Sequence, residues 1–109
     1  MQLRIFLAAM LAAYAVTGLA SDRLEQGKEI YQQACARCHD TGADGAPVIG
    51  QTGDWASRSD LWEAILFEHA EKGYTPMPAR GGDSRLSDYE VDVAAEYMLA
   101  TSHPELPKD

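Results

Sequence analysis

Cysteine is scarce in this sequence. There are two among 109 residues, and both fall in one short stretch, "QQACARCHDTG", residues 32 to 42. Two cysteines cannot build a multi-bridge disulfide scaffold, and with only 3 histidines beside them a four-ligand structural zinc site is barely within reach. Positive charge is also short, with 9 Lys and Arg against 17 Asp and Glu and a formal net charge of −8. Such a surface repels nucleic acid and anionic lipid, and favours a partner with a positive patch. Internal repeats, low-complexity segments and convincing strands are missing. So is any nucleophile–base motif, phosphate loop or paired-carboxylate signature, which removes the common enzyme chemistries.

Long hydrophobic runs are absent except at the start. In "MQLRIFLAAMLAAYAVTGLA" one early charge, Arg4, precedes an apolar run from Ile5 to Val16, and Gly18-Leu19-Ala20 closes it with small residues. That run is shorter than the ~20 residues needed to span a bilayer, and a cleavage site follows it directly. Residues 1–20 are therefore expected to be a secretory signal peptide, cut after Ala20, that delivers residues 21–109 to the periplasm. The remaining 89 residues carry 8 basic against 17 acidic side chains, a net charge of −9, and form one small domain with no membrane span. A domain of this size buries a modest core and leans on a metal, cofactor or disulfide.

What is present reads as an all-α fold with three helices and long connections. The first is predicted from about Asp22 to Cys38, with Asp22 and Glu25 as a capping box. Leu24, Gly27, Tyr31, Ala34, Cys35 and Cys38 share its inner stripe. The second is predicted from Asp60 to Lys72, capped by Ser59 and stopped by Gly73, with Leu61, Trp62, Ile65, Leu66 and His69 on one face. The third starts at the capping box Ser87–Glu90 and runs to about Thr101, with Val91, Ala94, Ala95 and Met98 inward. The glycine-rich connection "DTGADGAPVIGQTGDWASR" is too irregular for a strand, and Pro76 and Pro78 keep "GYTPMPARGGDSRL" from being helical. The tail with Pro104 and Pro107 reads as irregular.

Four chemistries use a C-x-x-C pair. In an exported protein a disulfide is the default. A redox-active pair sits where a strand enters a helix, and nothing upstream of Cys35 resembles a strand. Zinc would have to recruit His39, His69 or His103 to reach four ligands. The fourth is covalent haem attachment by C-x-x-C-H, and the details agree with it. Cys35 and Cys38 stand on one helical face, so both sulfurs can add to the two vinyl groups of one porphyrin. His39 then presents Nε2 to the iron, and export fits because this haem is attached outside the cytoplasm. For the sixth ligand the candidates are Met77, Met98, His69 and His103. Met98 and His69 lie on helix faces where such residues usually pack, and His103 lies in the tail. Met77 stands in "YTPMPAR", which reads as an extended strap bounded by prolines, able to carry a thioether to a fixed point.

"GKEIYQQACARCH", "GAP", "WASR", "MPARGG", "LSDYE" and "AAEYM" together resemble a class I c-type cytochrome, most closely the c5 type, over Gly27 to Leu99. The resemblance implies long loops and three main helices wrapped around one covalently bound haem c. It implies that Gly27 and Tyr31 pack against Tyr97, and that the Pro47 carbonyl accepts a hydrogen bond from the His39 ring. It also implies that Trp55 and Arg58 reach the haem propionates. A second cysteine pair common after the strap in c5-type proteins is missing from "GGDSRLSD". The expected function is single-electron transfer between periplasmic redox proteins, with a basic docking patch on the partner. The alternative is a dedicated haem subunit of a periplasmic dehydrogenase. Two strong axial ligands argue against a catalytic or gas-sensing haem.

Overall fold

The computed structural model describes residues 19–55 and 63–103. The expected signal peptide up to residue 18, Arg58, the helix cap Ser59 with Asp60 to Trp62, and the tail after His103 lie outside the described residues. Five α-helices order the described chain: α1 Leu19–Ile30, α2 Ala36–His39, α3 Thr52–Trp55, α4 Glu63–Lys72 and α5 Asp88–Ser102. Among the described residues there is no strand, only one isolated bridge between Tyr74 and Met77.

The single helix expected over Asp22–Cys38 is interrupted. Between α1 and α2 the chain forms a π-helical turn, Tyr31–Cys35, in which the Ala36 N–H reaches back to the Tyr31 carbonyl. This wide turn inserts one residue into the helical register and ends on Cys35, the first residue of the C-x-x-C-H motif. Asp22 is also not a cap, because α1 begins at Leu19 and holds Asp22 in its first turn, where its charge suits the helix dipole.

The later helices keep closer to expectation. At Gly73 (φ +89°) the left-handed conformation ends α4, and its N–H bonds the His69 carbonyl at 2.8 Å. Ile65, expected on the inner face of α4, is exposed. The capping box of α5 forms as expected: the Glu90 N–H donates to Ser87 Oγ, and the Ser87 N–H donates to the Glu90 carboxylate. Val91, Ala94 and Met98 are buried, and so is Val93, which lies off the predicted stripe.

Val93 is buried because α1 crosses α5 at backbone contact. A Cβ on Gly27 would lie 2.0 Å from the Val93 carbonyl oxygen, so no larger residue fits there without separating the helices. Beside that crossing the Tyr31 and Tyr97 rings pack with centroids 5.5 Å apart, as the resemblance implies. Arg23 pairs with Glu96 at 2.6 Å, and Tyr89 donates to Gln26 Oε1 at 2.6 Å. Where α4 meets α5, the Asp92 carboxylate facing Glu71 is the main reason that Glu71 is pushed up to about 7.

Candidate functional site

Two buried clusters and the Pro47 loop meet at the segment that carries Cys35, Cys38 and His39. Both cysteines are free thiols and half-buried. Burial, followed by the charge of Cys38, pushes the Cys35 thiol up to about 11. Cys35 also touches both buried clusters of the fold, Tyr31–Trp55–Met98 on one side and Ala34–Leu86–Val91 on the other. Tyr31 donates its hydroxyl to Asp40, tying the entrance of the turn to its exit, and burial followed by that bond raises the phenol well above its usual range.

His39 is buried, with Nδ1 2.8 Å from the Pro47 carbonyl oxygen. A carbonyl can only accept, so Nδ1 carries a proton, and in the neutral ring that is the tautomer with its lone pair on Nε2 that a metal-binding imidazole needs. The same segment is held a second time, because the Ile49 N–H donates to the His39 carbonyl at 2.8 Å. Trp55 stacks on the imidazole with centroids 5.8 Å apart and planes 21° off parallel. Its indole N–H, expected to meet a propionate, donates to the Val48 carbonyl at 2.9 Å. A propionate role for Trp55 therefore rests on the resemblance alone, as does that of Arg58, which lies outside the described residues.

The far end of this loop is anchored by a residue that sequence reasoning misses. Ser102, fully buried at the end of α5, accepts the Gly50 N–H on its hydroxyl at 3.0 Å. Its backbone carbonyl accepts the Thr52 hydroxyl at 2.8 Å. A serine in the last turn of a helix looks solvated in sequence, and no local pattern ties it to a loop so far back along the chain. Ser102→Ala removes the Gly50 N–H's partner and is expected to cost about 0.5–1.5 kcal/mol in denaturant unfolding without loss of haem content.

Met77 arrives from α4. The strap expected to be extended is instead a tight turn: the Tyr74 N–H donates to the Met77 carbonyl at 2.9 Å, and the Met77 N–H donates to the Tyr74 carbonyl at 2.8 Å. The Thr75–Pro76 peptide inside it is cis. Met77 is half-buried, and His69 stacks on the exposed Tyr74 with ring centroids 4.0 Å apart. After the turn, the chain passes so close to the mount that a Cβ on Gly81 would lie 2.4 Å from the Ala34 carbonyl. The other candidate ligands are placed elsewhere. Met98 is buried against Tyr31 and Trp55, and His103 is buried just after the Ser102 anchor.

The residues fit a c-type haem by their donor set: two unjoined thiols, an imidazole with its Nδ1 proton committed to Pro47, and a thioether on a braced turn. Among the described residues no three His, Cys, Asp or Glu side chains gather as a zinc site requires.

Comparison with known proteins agrees. The family described as "Cytochrome C oxidase, cbb3-type, subunit III" matches residues 22–98. Cytochrome c-555 of Chlorobaculum tepidum is 40% identical over 80 residues, covering 70% of this chain and 74% of the relative. Cytochrome c-551 of Halorhodospira halochloris is 42% identical over 79 residues, 69% of this chain and 96% of the relative. Cytochrome c5 of Ectopseudomonas mendocina is 33% identical over 72 residues, 64% and 83% respectively. A chain of the solved "electron transfer complex of nitrite reductase with cytochrome c" superposes with a TM-score of 0.67 at 29% identity, covering 72% of this chain and 95% of that one.

The fold is that of a small class I cytochrome c, an electron-carrying protein and not an enzyme. The chain belongs to the cytochrome c family, with relatives of the c-555, c-551 and c5 kinds.

Proposed function

We propose that the protein is a monohaem cytochrome c, ligated by His39 and Met77, that carries single electrons between redox proteins in the periplasm after removal of residues 1–20. The observation that carries this reading is the His39–Pro47 hydrogen bond, which commits Nδ1 and leaves Nε2 as the basic nitrogen. Bound haem supplies a one-electron iron couple. The chain's part is to hold it: Cys35 and Cys38 as thioethers, His39 and Met77 on the iron, and Arg58 with Trp55 at the propionates by family resemblance. Export is supported by the pattern of residues 1–20, and among the described residues no helix is long and apolar enough to cross a membrane. Net acidity favours partners with a basic docking patch.

The test is a pair of absorption spectra of the purified, matured protein, oxidised and reduced, with acid–acetone extraction. Colour that stays with the polypeptide, and a low-spin spectrum that switches reversibly, are expected. Freely extractable haem, or a high-spin ferric form, overturns the reading. A second reading, a haem subunit of a redox enzyme such as a periplasmic dehydrogenase, gains support from the matching family, described as an oxidase subunit. Co-purification with a larger enzyme would favour it.

A further inference from the structure

The acidic surface of this chain carries an exposed cation at a consequential point. Arg37 lies between Cys35 and Cys38 and is exposed. The other three arginines among the described residues face carboxylates: Arg23 pairs with Glu96, Arg80 with Asp88 and Arg85 with Asp83. Arg37 makes no ion pair among the described residues. Its Nη2 donates to the Gly81 carbonyl at 3.1 Å, which steadies the guanidinium and leaves most of its N–H donors for another acceptor. It borders a cleft of about 450 Å³ whose lining includes Gln33, Gly81, Gly82, Ser84 and the Asp83–Arg85 ion pair. Two adjacent glycines give that cleft a wall without side chains, so another molecule can approach the backbone closely.

We propose that Arg37 is a docking contact, taking a carboxylate from the redox protein that exchanges electrons with this one. This rests on the electron-carrier reading above. Electron tunnelling falls steeply with distance, so a partner must settle where the haem mount is nearest the surface, and an exposed residue between the two mounting cysteines marks such a place. The chemistry selects the occupant. A net charge of −8 draws a largely basic face at long range, but attraction of that kind leaves rotation about the approach axis open. A cation at this point of an anionic surface, meeting a carboxylate within a basic face, favours one rotation, because turning away from it sets like charges together there. An exposed pair of this kind contributes little to affinity, so its effect belongs to orientation and rate.

The test uses the haem-loaded protein and two small reductants, each giving one electron to the ferric haem. One is the carboxylate-bearing anion iron(II)–EDTA and the other the cation hexaammineruthenium(II). Arg37→Glu is compared with Lys28→Glu, which makes the same change in net charge at an exposed site on α1. At low ionic strength, Arg37→Glu should slow reduction by iron–EDTA several-fold more than Lys28→Glu does, and speed reduction by the ruthenium cation. Equal effects of the two variants would mean that only net charge matters, and would overturn the proposal. If Arg37→Glu does not load haem, Arg37→Gln against Lys28→Gln makes the same comparison: a larger effect at Arg37 supports the proposal and equal effects overturn it. An unchanged haem spectrum in the variants separates failure of this proposal from failure of the carrier reading, which the wild-type spectrum alone decides.

Discussion

Replacing Met77 by alanine is expected to erase the faint far-red sulfur-to-iron band of the ferric protein, open the iron to azide and carbon monoxide, and lower the reduction potential. A thioether is a weak donor that favours ferrous iron, so its loss removes part of what keeps the potential high. Axial ligands span roughly 0.8 V across haem proteins, and a fall on the order of 0.1 V is the scale expected for losing one. The effect should be local to the iron. The turn is held by the two backbone hydrogen bonds between Tyr74 and Met77, which truncating the side chain does not touch. Met98→Leu is the matched control, since Met98 is buried against Tyr31 and Trp55. A volume-conserving swap there should cost under about 1.5 kcal/mol and leave the band intact. If Met98→Leu erases the band, the ligand has been misassigned. If His69→Ala changes the spin state while Met77→Ala does not, the site is bis-histidine and its potential correspondingly lower.

The methionine turn, whose prolines suggest an extended strap, shows where the sequence stops being informative. Features written in neighbouring residues are legible: the Ser87–Glu90 capping box, the Gly73 stop of α4 and the C-x-x-C-H mount need only local geometry. The π-turn over Tyr31–Cys35 is not, because its residues suit an ordinary helix and only tertiary packing selects the wider turn. Pro76 and Pro78 exclude a helix, but they do not reveal that Tyr74 and Met77 pair through their backbones. Ser102 is the clearest case. It meets Gly50 across 52 residues of sequence, and a serine at a helix end has many commoner uses. A tryptophan such as Trp55 is legible as an anchor for its loop, while its stacking on His39 depends on where Pro47 and Val48 turn the chain. The C-x-x-C-H spacing is legible in the sequence, and the contacts that support it are not.

Those supports are thin enough that replacing both mounting cysteines should undo the fold as well as the attachment. The buried hydrophobic residues among those described are few: Tyr31, Ala34, Trp55, Leu86, Val91, Val93, Ala94 and Met98. Six of them form two separate clusters, and half-buried Cys35 packs against both. A haem fixed at Cys35 and Cys38 adds an apolar face next to that junction. At ~25 cal/mol per Å², burying on the order of 400 Å² of it contributes about 10 kcal/mol. That equals the whole stability of a typical domain, roughly 5–15 kcal/mol, so the haem-free chain has little margin left. The variant Cys35→Ala/Cys38→Ala is expected to yield no haem that survives acid–acetone extraction. Its haem-free form should lose most of its far-ultraviolet helical signal and show no cooperative thermal transition. Cys35→Ala alone keeps one thioether and should lower haem yield without abolishing it. A cooperative melt of the haem-free double variant would show that α1 and α5, closed on each other at Gly27 and Val93, hold the fold without the cofactor.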